Sequence, residues 1–219
     1  MRVAQGARTA VAVAVVAAVV VAVTGCSGGG GGDGGGDDRE ASGAASAGAS
    51  ADAVSAAPAT GVKSGGTLGG AGSACELPVT FDFAQEWKAD PVEFLWEVGP
   101  VSVACEIDAK PAGHLGFVRV WTGAPGDDDP EAVLAAHLAE ETGSTKSGMR
   151  YRPFEIDGVT AVEVTYTTTD DLGERPDRAF ALPTPDGPVV ISLDAPDADE
   201  HRAVLPAYEL AKRTLRLAD

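Results

Sequence analysis

The sequence predicts an α+β domain in residues 75–219, built as an antiparallel β-sheet of about six to seven strands with two helices packed on it. A signal peptide (residues 1–25) and a disordered linker (residues 26–74) precede this domain. Two observations predict the fold. Short runs of alternating apolar and polar residues, separated by tight turns, are typical of antiparallel strands. Two longer segments carry apolar residues at helical spacing, and such helices bury their apolar stripes against the sheet.

The N-terminal segment has the pattern of a secretory signal. Arg2 and Arg8 give it a basic start, and a run of 14 alanines and valines follows from Ala10 to Val23. Signal peptides have this basic and then apolar pattern, whereas a permanent membrane span needs about 20 apolar residues. Residues 1–25 are therefore predicted to be a signal peptide that is removed.

A short motif, Val23-Thr24-Gly25-Cys26, lies between this apolar run and a glycine tract. It resembles the lipobox of bacterial lipoproteins, in which a branched aliphatic residue and two small residues precede a cysteine. The resemblance implies that a peptidase cuts before Cys26 and that its thiol receives a diacylglyceryl group. Two acyl chains anchor a protein stably where one does not, so we expect a lipid-anchored protein on the extracytoplasmic face of the cell membrane. The alternative is an ordinary secretory signal with a coincidental cysteine.

The linker is rich in small residues. From Ser27 to Ala74 it contains 16 glycines among 48 positions, most of the others being alanine and serine, and it has no aromatic side chain. Such a segment cannot bury enough apolar surface to offset the entropy cost of ordering its backbone. We therefore predict disorder over residues 26–74, with a root-mean-square reach of about 35–40 Å.

The mature chain is strongly acidic. Removal of residues 1–25 takes away two arginines and no acidic residue, which leaves 14 basic and 33 acidic residues and a net charge of −19. Such a chain repels nucleic acids and anionic lipid headgroups, so nucleic-acid binding is excluded. A cationic partner or metal ions would be attracted, although an acidic surface can also serve solubility alone. The high content of Ala, Gly, Val and Asp fits a high-GC actinobacterium.

The chain has three cysteines, and lipidation of Cys26 would leave Cys75 and Cys105 as a pair in an oxidising compartment. We predict a disulfide between them, worth about 3–4 kcal/mol in the chain-entropy model. The alternative is two free buried thiols. A metal site is not expected, because neither a histidine nor a third cysteine lies nearby at ligand spacing.

The first half of the domain predicts three strands. Leu77–Phe83 alternates apolar and polar residues, and Val101–Asp108 and Leu115–Thr122 form a hairpin around the turn at residues 110–113. Between the first and second strands, Pro91–Val98 is expected to be a connector whose large apolar side chains pack inward: Phe94, Leu95 and Trp96.

A helix and a hairpin are predicted next. Asp129 suits the N-cap of the helix, Pro130 its first turn, and Gly143 its termination. The hairpin pairs Tyr151–Ile156 with Val159–Thr168 around Asp157-Gly158, a sequence that favours a type I′ turn.

A second hairpin and a closing helix complete the domain. The hairpin pairs Arg178–Leu182 with Val189–Asp194, and Asp197–Leu217 has apolar residues at helical spacing. Proline is unfavourable in a helix interior. Pro206 is therefore expected either at the first position of the main helix or at a kink.

This layout resembles the PsbP-like sandwich, which occurs in photosystem II extrinsic proteins and in actinobacterial cell-envelope lipoproteins of the LpqN type. The matching features are the early strand Phe81-Asp82-Phe83 followed by Trp87, the mid-chain helix, the Asp157-Gly158 hairpin and the closing helix. The resemblance covers residues 76–217 and carries no catalytic residues. The paired cysteines depart from it and look more like another group of actinobacterial lipoproteins with one N-terminal disulfide. Neither group implies a known reaction.

Catalytic patterns are absent from the sequence. His114, His137 and His201 have no second ligand at a recognised metal spacing. Neither Gly-x-Ser-x-Gly nor Gly-x-Gly-x-x-Gly occurs between a predicted strand and a helix, and no Walker A motif occurs. His137 is expected at the boundary of the helix's apolar stripe, and His201 on the surface. We therefore expect no enzyme, no cofactor and no metal. An envelope hydrolase would require a serine, an acid and either His114 or His201 in one cleft.

Three tryptophans are the remaining candidates for a site. In a chain with few aromatic residues, Trp87, Trp96 and Trp121 could form a ligand or partner patch, although plain core filling also explains them. The sequence thus favours a non-enzymatic envelope lipoprotein that binds an unidentified envelope protein or ligand. A carrier of a lipid or small apolar ligand is the alternative, and it would need a continuous apolar cavity between the sheet and the helices.

Overall fold

The structure is a computed structural model, and it describes residues 61–126, 129–140 and 143–218. The predicted signal peptide, Cys26 and residues 26–60 of the predicted linker lie outside the described residues. Eleven strands and two α-helices occur in the described part of the chain. In chain order they are β1 (Ser64–Leu68), β2 (Val79–Ala84), β3 (Lys88–Pro91), β4 (Glu97–Val98), β5 (Val101–Asp108), β6 (Phe117–Gly123), α1 (Pro130–Glu140), β7 (Thr145–Ile156), β8 (Val159–Asp170), β9 (Gly173–Leu182), β10 (Val189–Asp194), α2 (Ala198–Thr214) and β11 (Arg216–Leu217).

The main sheet has eight strands, in the order β3-β5-β6-β10-β9-β8-β7, with β4 also paired to β5. All of these pairs are antiparallel, as predicted. The expected six to seven strands are too few, because two short strands flank β5. β3 and β4 pair with the two halves of β5. Neither strand was predicted: β4 lies within the expected connector Pro91–Val98, and most of β3 lies just before it.

A second sheet has three strands in the order β1-β2-β11. The predicted domain boundary at Cys75 is therefore wrong, because β1 comes from the segment expected to be disordered. Leu68 is only 2% exposed, and a Cβ added at Gly69 would lie 1.7 Å from the carbonyl oxygen of Val79. A glycine thus allows the chain to turn tightly against β2. Pairing with β2 supplies the backbone hydrogen bonds that the segment lacks on its own.

The two faces of the main sheet bury different partners. One face packs against α2 and the small sheet, and includes Phe180 and Tyr208 in its core. The other face packs against α1, whose Val133, Leu134 and Leu138 lie on the apolar ends of β8 and β9. The predicted arrangement of two helices on an antiparallel sheet is confirmed, with one helix on each face.

Local signals fixed several boundaries. In the hairpin between β7 and β8, Asp157 and Gly158 both have positive φ, 50° and 81°, as the predicted type I′ turn requires. At the start of α1, a side-chain oxygen of Asp129 accepts a hydrogen bond from the amide of Glu131 at 3.1 Å. At the start of α2, Asp197 accepts hydrogen bonds from the amides of Asp199 and Glu200.

The structure excludes one of the two alternatives for Pro206 and corrects the predicted end of α2. Because the helix begins at Ala198, Pro206 lies well inside it and not at its first position. The helix also ends at Thr214 rather than Leu217. Residues Arg216 and Leu217 instead form β11, which pairs with Thr80 and Val79 of β2. The last residues therefore close the small sheet, where their backbone groups find partners that a longer helix would not have provided.

The predicted disulfide between Cys75 and Cys105 is present, and both residues are buried. Cys105 lies on β5 of the main sheet, whereas Cys75 precedes β2 of the small sheet. The bond therefore joins the small sheet to the main sheet.

Candidate partner-binding surface

Strand β6 places three large side chains on the α1 side of the main sheet. Side chains alternate between faces along a strand. Val118 and Val120 accordingly enter the core under α2, while Phe117, Arg119 and Trp121 lie on the opposite face. Trp121 is buried in the core beneath α1, but Phe117 and Arg119 lie beyond that core, where the face is open to solvent.

Arg119 is the centre of this open region. Its guanidinium lies 2.6 Å from Glu106 and 3.1 Å from Asp194. Burial by itself lowers the pKa of Arg119, but the two carboxylates outweigh burial and raise this pKa above its usual value. The guanidinium also lies 5.1 Å from the Trp96 ring centre and 4.6 Å from that of Phe117, distances typical of cation–π contacts. Arg119 is thus held in one orientation with aromatic rings beside it.

The segment before β4 brings large apolar side chains to the surface. Phe94 is 62% exposed, Leu95 79% and Trp96 36%, so the expectation that they pack inward is wrong. The pairing of β4 with β5 places Glu97 opposite Ser102, and the Trp96 carbonyl accepts a hydrogen bond from the Val103 amide. This short pairing fixes the backbone at the sheet edge, where no other described element covers the side chains of Phe94 and Leu95.

Two exposed aromatic side chains, Phe94 and Trp96, and the half-buried Phe117 form a row with Arg119. The rings of Phe94 and Trp96 are stacked, with centres 6.5 Å apart, and Trp96 in turn contacts Arg119, which contacts Phe117. We call Phe94, Leu95, Trp96, Arg119 and Phe117 the aromatic strip. Single exposed apolar residues are ordinary, but a contiguous exposed group marks an interaction site.

A cleft of about 630 Å³ adjoins the Phe117 end of the strip. It exists because β10 ends at Asp194 while the neighbouring β9 continues past that point to Gly173. Phe117, Arg119 and Asp194 line one side of the cleft and Arg175 lies in its lining as well. Arg175 is itself held by Asp170 at 2.6 Å and Asp177 at 3.6 Å. The cleft is therefore lined by charged side chains that ion pairs hold in place, and it adjoins an apolar surface.

The three predicted tryptophans do not form one patch. Trp96 and Trp121 meet edge to face with ring centres 5.1 Å apart, but Trp87 is buried on the other face of the sheet, in the core under α2. Trp121 is core and not surface: its indole N–H donates to Ser192 at 3.1 Å, and its ring packs against His137. Trp96 alone of the three reaches the surface, resting on Trp121.

Sequence reasoning missed Phe117 and Arg119 as members of the site. The signal was present in the alternation of the predicted strand Leu115–Thr122, because positions 117, 119 and 121 share one face of any strand. An aromatic residue and an arginine on the same face as Trp121 could have identified the strip. Their contact with Trp96 could not be inferred, since it depends on how the segment before β4 folds over β5.

Each of the two histidines considered for catalysis, His114 and His201, lies near a carboxylate. His114 lies 3.8 Å from Glu200, and His201 lies 4.0 Å from Asp177. Neither imidazole is hydrogen-bonded to a serine in the part of the chain that the structure describes. His201 is also only 3% exposed, so its expected surface position is wrong. The first turn of α2 packs this side chain against the sheet, since its position shares the helical stripe of the buried Val204 and Tyr208.

Burial of His201 predicts an acid-sensitive fold. Its pKa is lowered from 6.5 to about 4, first by burial and then by Arg178 and Arg202. The unfolded chain therefore binds more protons between these values, and the stabilisation present above pH 6.5 is lost as the pH falls toward 4. We expect wild-type to lose about 2 kcal/mol of unfolding free energy between pH 7 and pH 5 through this residue. Denaturant unfolding of wild-type and His201→Gln at pH 7 and pH 5 measures this loss. If both proteins lose the same unfolding free energy between the two pH values, the prediction is contradicted.

The described residues contain no group of three or more His, Cys, Asp or Glu side chains placed to hold a metal ion. None of the helices in this part of the chain is long and apolar enough to cross a membrane. Between the main sheet and α2, the structure leaves a space of about 10 Å³, bordered by Phe81, Trp87 and Ile107. This space is smaller than a single lipid chain requires.

Comparisons with known proteins bear on the fold and the family. The solution structure of cyanobacterial PsbP (CyanoP) from Synechocystis sp. PCC 6803 is similar to this chain, with a TM-score of 0.50 and 13% sequence identity. The similarity covers 70% of this chain and 98% of that one, which confirms the predicted PsbP-like fold. Among curated proteins, none matches this chain significantly. An actinobacterial origin stays a prediction.

The family comparison covers more of the sequence. A family described as "Uncharacterised lipoprotein" matches residues 44–215. The match therefore includes the main sheet, β1 and β2 of the small sheet, both helices and the aromatic strip, together with part of the segment that precedes the described residues. Because it spans well over half of the chain, this protein belongs to that lipoprotein family.

Proposed function

We propose that this lipoprotein is a binding module of the cell envelope, held to the extracytoplasmic face of the cell membrane by a lipid on Cys26, and that it binds a partner protein through the aromatic strip. One observation carries the proposal: Phe94, Leu95 and Trp96 are three consecutive large apolar side chains, all exposed to solvent. Membership of a lipoprotein family supports the lipid anchor.

The composition of the strip supports protein binding. Tryptophan, other aromatic residues and arginine are the side chains enriched at the energetic centres of protein interfaces. Trp96 is held by the edge-to-face contact with Trp121 and by Arg119, so part of the ordering cost of binding has already been met in the free protein. The adjoining cleft gives room for a side chain of the partner beside Phe117.

Two other functions receive less support. A carrier of a lipid or small apolar ligand needs an apolar cavity, but the space between the sheet and α2 is about 10 Å³. A hydrolase needs a serine beside a histidine and an acid, and the histidine neighbours described above are carboxylates. We therefore propose a non-enzymatic role, without a cofactor.

Site-specific photo-cross-linking on intact cells tests this function. A photoreactive benzoylphenylalanine at position 95 is compared with the same residue at position 172, because Leu95 and Leu172 are similarly exposed, at 79% and 75%, and lie in different parts of the fold. We expect a discrete protein adduct from position 95 and at least about fivefold less of it from position 172, since contacts at the centre of an interface exclude water and outer surfaces do not. Equal yields at both positions, or no protein adduct at 95, would remove the basis of the proposal.

A further inference from the structure

We infer that the partner bound by the aromatic strip is a basic protein that carries an apolar anchor. The inference rests on the proposed function and adds the chemical class of the partner. The observation is the charge around the strip: Glu93 and Glu97 directly flank its three exposed apolar residues, and both are exposed. We call these two glutamates the acidic rim.

The positive charge inside the strip does not offset this rim. Arg119 is already paired with Glu106 and Asp194, so these three groups together carry a net negative charge. The charge presented to a partner is thus negative at the rim and negative behind the strip. The whole chain has the same sign, with a net charge of −17.

Charge complementarity then selects the partner. A protein with Lys or Arg around an apolar anchor would be attracted to the rim, while an acidic protein would be repelled. Its cations could also lie on the exposed ring face of Phe94, since aromatic rings attract positive charge. An apolar side chain of the partner would contact Leu95, the most exposed of the three.

Two other occupants of the strip are disfavoured by the same charges. A second copy of this chain would bring an identical acidic rim and a net charge of the same sign, and like charges placed across an interface oppose association. An anionic membrane surface attracts basic segments and not glutamates. Phe, Leu and Trp could enter a bilayer, but here the adjacent Glu93 and Glu97 would have to approach the negative headgroups with them.

Charge reversal tests the inference in the full, lipidated chain on intact cells. The photoreactive residue stays at position 95, and Glu93→Lys/Glu97→Lys is compared with a control, Glu155→Lys/Asp186→Lys. The two control residues are exposed and lie outside the strip. Their replacement by lysine changes the net charge of the chain by the same amount as the replacement of Glu93 and Glu97. We expect the rim variant to lose the protein adduct about tenfold, because attraction becomes repulsion, and the control to change it by less than about twofold.

The adduct is then identified by mass spectrometry, and thermal unfolding verifies that both double variants fold. A captured protein with an excess of Lys and Arg over Asp and Glu supports the inference. A rim variant that cross-links as well as wild-type, or an acidic captured protein, overturns the inference and leaves the binding function standing. A lipid adduct or an adduct of two copies of this chain also overturns it. Absence of any adduct specific to position 95 removes both the inference and the proposed function.

Discussion

Replacement of both Cys75 and Cys105 by alanine is expected to lower the free energy of unfolding by about 3–4 kcal/mol. The two residues are 30 positions apart in sequence, and opening a loop of that length returns about this much conformational entropy to the unfolded chain. The loss corresponds to a fall in melting temperature of roughly 10 °C for a domain of this size. Thermal unfolding and denaturant titration of the mature chain measure it.

The location of the disulfide gives a second expectation. Because the bond joins the small sheet to the main sheet, its loss should raise amide exchange in β1 and β2 before it does so in β8 and β9, which pair along most of their length. Wild-type protein treated with a reductant serves as the control, since it loses the bond without a change of sequence. A double-alanine variant that is as stable as oxidised wild-type would refute this account.

Arg119→Met is expected to lower the free energy of unfolding by about 2–3 kcal/mol and to abolish most of the cross-linking at position 95. The arginine side chain is 16% exposed and pairs with both Glu106 and Asp194. Removing one member of this partly buried ionic group leaves the remaining charges without compensation, and this is the main cost. Methionine keeps much of the apolar volume of the arginine side chain, but it has no positive charge to contact the rings of Trp96 and Phe117. Denaturant unfolding measures the stability, and the adduct yield at position 95 measures the binding.

Two further variants separate these causes. Arg119→Lys keeps the charge but lacks the planar fork that reaches two carboxylates and stacks on rings, so it should recover only part of the stability. Arg119→Met/Glu106→Gln removes one of the unpaired carboxylates and should be more stable than Arg119→Met alone. If Arg119→Met had the same free energy of unfolding as wild-type, the ion pairs of Arg119 would not stabilise the fold around the strip.

Local sequence signals predicted the elements that depend on neighbouring residues. Asp157-Gly158 sets positive φ at two consecutive positions and so fixes the β7–β8 hairpin. Asp129 satisfies an amide at the start of α1, and Asp197 does the same for α2. These effects act over a few residues, and their result changes little with the rest of the fold.

Distant contacts explain the predictions that were wrong. Residues 64–68 have no apolar periodicity of their own, and they become a strand because β2 offers an unpaired edge. Strand β11, which was not predicted either, pairs with the opposite edge of β2. His201 looked like a surface residue at the start of a helix, but the packing of α2 on the sheet buries it.

Only part of the aromatic strip could be predicted from the sequence. Alternation in β6 determines that Phe117 and Arg119 share a face, and this was readable from the sequence alone. The exposure of Phe94 and Leu95 was not, because an apolar run is normally buried and only the position of β4 at the sheet edge leaves these side chains uncovered.

The sequence by itself determined the class of this protein, the pairing of its cysteines, its two main hairpins and the starts of both helices, because each depends on composition or on adjacent residues. Only the tertiary structure decided which tryptophan reaches the surface, how Trp96 meets Arg119, and where the acidic rim lies. These depend on the register of β4, β5 and β6, which brings together residues more than 20 positions apart through packing that no local pattern encodes.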